Sequence, residues 1–209
     1  MRWDLPERLA ARLMKEPLPG RAAQRLFEPS LCYGRHFGPA TVRAKPAAVL
    51  VLLYPHQDEW HLPLTVRPST LMPHGGQISL PGGSVEPGET SPQAALRELQ
   101  EELGAGEEGI ELLGGLSPLY VYVSQFLVTP WVAAVHRRPE WAPSPYEVAE
   151  LLEVPLSRLL DPATHGRHTR RQRSVEYSAP HFLWQRHRIW GATSMILSEL
   201  LAVVEELGE

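Results

Sequence analysis

Glu98, Glu101 and Glu102 stand close together in the middle of the chain. On a helix that turns about 100° per residue, the three carboxylates share one narrow arc. Leu96, Leu99 and Leu103 occupy a separate arc that suits burial against a sheet. Like charges three and four residues apart repel, so a surface helix normally mixes its signs. Three carboxylates with no interleaved lysine match the needs of a hard divalent cation, since Mg²⁺ takes oxygen ligands and bridges carboxylates to substrate phosphates. A solvated acidic face is the simpler alternative.

The flanking residues supply the means of positioning such a helix. Glu89 precedes Arg97 by eight residues and can pin the intervening loop to the helix through a charge-assisted pair. Gly82 and Gly83 permit a close backbone approach, and Pro87-Gly88 reads as a turn. Thr90 followed by Ser91-Pro92 predicts a cap and a first-turn proline. Leu103-Gly104 predicts the helix end.

Taken in order, Gly83, Glu89, Arg97, Glu98, Leu99, Glu101, Glu102, Gly104 and Ala105 resemble the signature of the Nudix hydrolases. Ala105 is smaller than the aliphatic residue usual there. The resemblance implies an α/β fold, a Nudix-type α/β/α sandwich with a mixed β-sheet and a catalytic loop-helix-loop. It also implies metal-assisted cleavage of a nucleoside diphosphate linked to a further group, with Mg²⁺ or Mn²⁺ as cofactor. Residues 1–209 are expected to form a single domain of this kind, with an N-terminal extension and a C-terminal helix.

Just upstream, residues 64–83 (LTVRPSTLMPHGGQISLPGG) resemble an additional motif of the coenzyme A pyrophosphatases within that family. Leu64, Thr65, Arg67, Gly76, Pro81, Gly82 and Gly83 match it, and His74 and Gln77 agree with residues common in bacterial members. Pro68, Met72 and Leu80 depart from it, and Met72 stands where the motif has an arginine able to fork onto phosphate. Residues 187–201, HRIWGATSMILSELL, resemble the terminal segment of the same subfamily, although packing by Trp190 and the following helix also explains them.

These resemblances imply a catalytic set of Glu98, Glu101, Glu102 and a distant carboxylate. Glu147 is preferred for the last place over Glu140, Glu150 and Glu153, because it precedes the expected last strand. The metal ligands are expected to be Glu98, Glu101, Glu102 and the Gly82 carbonyl. Gly83, Glu89, Arg97 and Gly104 give structural support. Substrate contacts are assigned to Arg67, His74, Gln77, position Met72 and Arg170, the last in the basic stretch 165–173, HGRHTRRQR. The expected reaction hydrolyses coenzyme A or its thioesters to 4′-phosphopantetheine and adenosine 3′,5′-bisphosphate. The alternatives are broader action on ADP-ribose or NADH, and a ligand-binding module without catalysis.

Composition narrows the partners. Twenty basic and 24 acidic side chains give a net charge of −4, so no general attraction to nucleic acid is expected. The chain has one cysteine, Cys32, which excludes an internal disulfide framework and suits the cytoplasm. No apolar run reaches the roughly 18 residues of a membrane span. A small nucleotide is the expected partner, with a homodimer left open.

The remaining pattern predicts a helix near 3–14 ended by Pro17, Pro19 and Gly20, an irregular stretch over 21–45 with a cluster of Cys32, Tyr33, His36 and Phe37, and a strand covered on both faces over 47–54. A second strand over 59–67 is expected to be irregular or at an edge because of Pro63. Further strands are expected over 110–113, 120–128, 131–136 and 147–154, with breaks at Gly114-Gly115 and Pro130. A short helical turn over 157–160 and a terminal helix over 191–207 complete the pattern.

Overall fold

The apolar run at 47–54 lies within strand β1 (Lys45–His56), and its alternation divides the molecule into layers. Ala48, Leu50, Leu52 and Tyr54 pack against Ala94, Ala95, Leu99 and Leu103 of helix α3 (Ser91–Leu103). Ala47, Val51 and Leu53 join the opposite core, with apolar residues of helices α1 (Leu5–Leu13) and α5 (Ala192–Glu206). Successive strand side chains point to opposite faces, so one continuous apolar strand serves two helical layers. The result is the expected α/β/α arrangement. This computed structural model describes residues 2–32, 40–70, 75–172 and 174–208.

β1 turns through Gln57-Asp58, both at positive φ, into antiparallel β2 (Glu59–Val66). It runs parallel to β7 (Phe126–Ala134) and antiparallel to the short β4 (Gly82–Ser84). β2 also pairs with β3 (Ile78–Ser79) and with β8 (Glu150–Pro155), while β7 pairs with β5 (Glu111–Gly115) and β6 (Leu119–Val121). These eight strands form one mixed sheet. A three-stranded antiparallel sheet follows, made of β9 (His165–Gln172), β10 (Val175–Trp184) and β11 (His187–Trp190).

Several expected breaks are not breaks. β7 runs straight through Pro130, whose carbonyl accepts from the Leu116 N–H at 2.9 Å. The ring nitrogen points the same way, toward the gap where the neighbour of β7 changes from β6 to β5. No ladder donor is lost there. β5 continues through Gly114-Gly115 by a bulge after Leu112. The strand expected over 120–128 is a hairpin instead, turning between Val121 and Phe126. β2 is not an edge: Pro63 pairs with Glu153 of β8 and falls between the β1 and β3 pairings on the other side.

β8 starts at Glu150 rather than 147, and it is not the last strand, since β9–β11 follow. The stretch expected to be irregular after residue 20 begins with helix α2 (Gly20–Gln24), and the short turn near 157 is helix α4 (Leu156–Leu160). The buried Glu199 of α5 accepts from the Gly20 N–H at 3.0 Å, the Gln24 side chain at 2.8 Å and the Ser117 N–H at 3.1 Å. A buried carboxylate needs such donors, and here they tie α2 and the β5–β6 turn to α5. The expected Cys32–Phe37 cluster falls largely outside the described residues. No helix among the described residues is long and apolar enough to cross a membrane.

Candidate active site

α3 begins as its sequence predicts. The Gln93 side chain accepts from the Thr90 backbone N–H at 2.8 Å, and Pro92 sits in the first turn. Gly104 ends the helix in the left-handed conformation at φ 68°, which a Cβ would strain. A Cβ there would also press on Ala142 at 2.7 Å. Between these ends, Leu99 and Leu103 fix the helix on β1, which sets the direction of its acidic face.

Arg97 organises that face. Its guanidinium bonds both oxygens of Glu89, at 3.0 and 3.2 Å, and the Ser84 carbonyl at 3.1 Å. It also reaches Glu98 and Glu101, each at 2.9 Å. One cation therefore holds the loop that precedes the helix and offsets two of the three helical carboxylates. Gly83 lies directly against the Glu98 carboxyl, which a Cβ there would displace. Glu101 is the most exposed of the three.

Glu102 is more deeply enclosed. It accepts from the Gly82 backbone N–H and, at 3.4 Å, from the Thr65 hydroxyl. Thr65 in turn meets the Ser79 hydroxyl at 3.1 Å across the β2–β3 pair. These bonds favour the charged form but do not offset burial and the charges of Glu98 and Glu147. The Glu102 carboxyl is pushed up to about 8. Burial also raises Glu98, against the pull of Arg97 and with smaller contributions from Glu101 and Glu147.

Glu147 comes from a loop fastened to the end of α3. The Ala142 and Ser144 N–H groups donate to the Leu103 and Glu102 carbonyls, both at 2.8 Å. They satisfy acceptors that a helix end leaves free. Ser144 then accepts from the Glu147 and Val148 amides, and the Ala149 N–H donates to the Val66 carbonyl at 2.8 Å. Val148 anchors the loop in the α3-side core. Glu147 thus lies near enough to Glu98 and Glu102 to act on both charges.

The alternatives to Glu147 are placed differently. Glu150 pairs with Arg186 at 2.7 Å and approaches His187 at 3.3 Å. Glu153 receives Arg138, Tyr54 and Trp141. Glu140 lines a separate cavity of about 630 Å³ with Arg137 and Trp141.

Of the expected substrate residues, Arg67 and Gln77 meet through their backbones, the Arg67 N–H donating to the Gln77 carbonyl at 3.0 Å. This extends the β2–β3 pair directly beside Thr65. Arg170 lies on β9, with its guanidinium 4.0 Å from the centre of the Trp190 ring. Met72 and His74 lie outside the described residues. The contact of Thr65 with Glu102 was not anticipated, although the residue belongs to the matched upstream motif.

A family model for the NUDIX domain matches residues 44–176. The Nudix hydrolase NudL of Photorhabdus laumondii, described as uncharacterized, is 35% identical over 143 residues, 68% of this chain and 76% of its own length. The chain belongs to the Nudix family. NudL of Pectobacterium atrosepticum, described in the same way, is 34% identical over 164 residues, covering 78% of this chain and 84% of that protein. Among solved structures, a MutT/nudix family protein from Enterococcus faecalis matches the fold at a TM-score of 0.50 and 18% identity, covering 98% of this chain and 76% of that one.

As a Nudix pyrophosphohydrolase, the chain acts on nucleoside diphosphate-linked substrates with a divalent metal ion. Its residues fit that need. Glu98, Glu102 and Glu147 are hard oxygen donors; burial and the neighbouring Glu147 charge raise the proton affinity of Glu98 and Glu102, and added positive charge relieves this. Among the described residues, no three His, Cys, Asp or Glu side chains already converge as a metal cage. Glu98 and Glu101 instead each rest an oxygen on Arg97.

Proposed function

We propose that this Nudix enzyme hydrolyses the pyrophosphate bond of coenzyme A or its thioesters, giving 4′-phosphopantetheine or its acyl derivative and adenosine 3′,5′-bisphosphate. The observation that carries this reading is the meeting of the two segments that resemble the subfamily. The Thr193 hydroxyl, just beyond β11, donates to the Ile78 carbonyl of β3 at 3.0 Å. β3 also places Ser79 on Thr65, beside Glu102. A signature for nucleotide hydrolysis and two segments for one substrate class therefore share a wall.

In this reading Glu98, Glu101, Glu102 and the Gly82 carbonyl would hold Mg²⁺ or Mn²⁺. The cation supplies charge neutralisation at the phosphate oxygens. Arg67 and Gln77 face the substrate from the β2–β3 pair. Water forms the new P–O bond, the bridging P–O bond breaks, and the departing phosphate carries away the electron pair. Glu147 accepts the proton of that water, since it comes from outside the helix and is not tied to Arg97. All these residues belong to one chain, so a homodimer is not needed to complete the site. The lone Cys32 suits a cytoplasmic setting.

Met72, in place of the motif arginine, favours a second reading of broader action on ADP-ribose or NADH. Steady-state assays with coenzyme A, dephospho-coenzyme A, NADH and ADP-ribose separate the two. The highest kcat/KM is expected for coenzyme A or a thioester. A higher value for NADH or ADP-ribose overturns the proposal and leaves the Nudix chemistry intact.

A further inference from the structure

The β9–β11 sheet turns Phe182 and Ile189 into the core, where the Phe182 ring stacks on Phe27 at 4.0 Å and the exposed His165 meets it edge-on. Strand alternation and register then place His168, Arg170, His181, Arg188 and Trp190 together on the opposite face. Contacts join four of these five, with Arg188 on the far side of Trp190 from Arg170. The Nδ1 atoms of His168 and His181 are 3.1 Å apart, and the His168 ring lies 6.0 Å from that of Trp190. The Arg170 guanidinium covers Trp190. Gly166 leaves room for the His181 ring, which a Cβ would meet at 2.9 Å.

The charge on this face is not balanced. Elsewhere, Arg12, Arg97, Arg138, Arg158 and Arg186 each reach a carboxylate. Among the described residues, none forms an ion pair with Arg170 or Arg188. Burial lowers both imidazoles, and Arg188 lowers them further, with His181 and Arg170 also acting on His168. At neutral pH the face therefore offers two fixed positive charges beside a pair of uncharged imidazoles, of which His168 is half-buried and His181 buried. A dianion with several acceptor oxygens answers both features.

The sheet behind this face is tied to the strands that carry the site. His187 begins β11 beside Glu150, only three residues from Glu147, and Thr193 just past its end binds Ile78. The strand between these two anchors spans about 10 Å at the usual rise.

The geometry points to this face as a phosphate-monoester subsite, in which Arg170 and Arg188 hold a terminal phosphate of the substrate separate from the pyrophosphate that is cleaved. Its place in catalysis rests on the coenzyme A reading above, because that substrate carries such a group on its ribose. The subsite then selects 3′-phosphorylated nucleotides over those without the group.

Calorimetric titration of the full chain tests this with adenosine 3′,5′-bisphosphate, adenosine 5′-monophosphate and inorganic phosphate as probes. The bisphosphate is expected to bind at least about 10-fold tighter than the monophosphate, the size of one charge-assisted contact. In Arg170→Gln and in Arg188→Gln that preference falls to near unity, while thermal unfolding verifies that each variant is folded. Two replacements on different strands guard against a local packing effect at Trp190. Equal binding of the two nucleotides by the wild type overturns the proposal, as does equal weakening of both in the variants. Inorganic phosphate binding as tightly as the bisphosphate overturns the link to substrate. If coenzyme A is not turned over but the preference persists and depends on both arginines, the subsite stands and the substrate reading fails.

Discussion

Glu102→Gln is expected to stabilise the metal-free protein while abolishing most of its activity. The wild-type carboxyl holds its proton up to about 8 in the folded chain, compared with 4.5 ordinarily. Between these values the folded state binds more protons than the unfolded state, so stability falls as pH rises. Below about 4.5 both states are protonated and the residue contributes no pH dependence. At about 1.4 kcal/mol for each tenfold change in proton affinity, the full effect above pH 8 has an upper limit near 5 kcal/mol. Rearrangement of Glu98 and Glu147 around the new charge reduces it to about 3 kcal/mol. For a chain of this size, that raises the Tm of the variant over wild type by roughly 6–12 °C at pH 8.5 in a chelator. Near pH 4.5 the two proteins should melt together. Saturating Mg²⁺ should raise the wild-type Tm and leave the variant nearly unmoved, with kcat lowered by about 10²-fold or more. Thermal unfolding from pH 4.5 to 8.5, with and without Mg²⁺, measures each part. A difference in Tm that does not grow with pH would refute the account of a desolvated, carboxylate-crowded Glu102.

Replacing Glu147 with Gln should lower kcat by about 10²-fold and, without metal, make the loss of stability with rising pH smaller and end it at lower pH, because one source of repulsion on Glu102 is gone; kinetics and pH-dependent unfolding report the two effects. Arg97→Lys removes the planar fork that binds Glu89, Glu98, Glu101 and Ser84 together. It should lower kcat by about 10-fold through loss of positioning, and preserved turnover would show that the fork is dispensable. Glu153 is held down at about 2, the bonds from Arg138, Tyr54 and Trp141 outweighing its burial. Its stabilisation is present above about 4.5 and is lost as pH falls toward 2, so Glu153→Gln should cost about 2 kcal/mol at pH 7, less at pH 3, and leave kcat close to wild type, as denaturant titration and turnover will show.

The helix that bears the carboxylates was legible because its signals are local. Thr90, Pro92 and Gly104 determine its ends, and the leucine spacing determines its buried face. β1 was legible for a similar reason, since a continuous apolar run needs cover on both sides. Pro130 and Gly114 misled because whether a proline or glycine breaks a strand depends on the neighbouring strand, and here their positions coincide with a gap and a bulge. β9 was hidden more completely: its residues are almost all polar, and it is recruited through pairing with β10. The carboxylates of 140–153 are alike in sequence. Only partners brought from elsewhere separate Glu147 from the neutralised Glu150 and Glu153.

The position of Arg97 also bears on the order in which this molecule is assembled. Small zinc domains remain unfolded until their metal arrives, because nothing else offsets the repulsion among their ligands. Here Arg97, encoded in the same helix, offsets part of the repulsion among the carboxylates, while the helix itself is secured by leucines on β1. Chain folding and metal loading are therefore separable events.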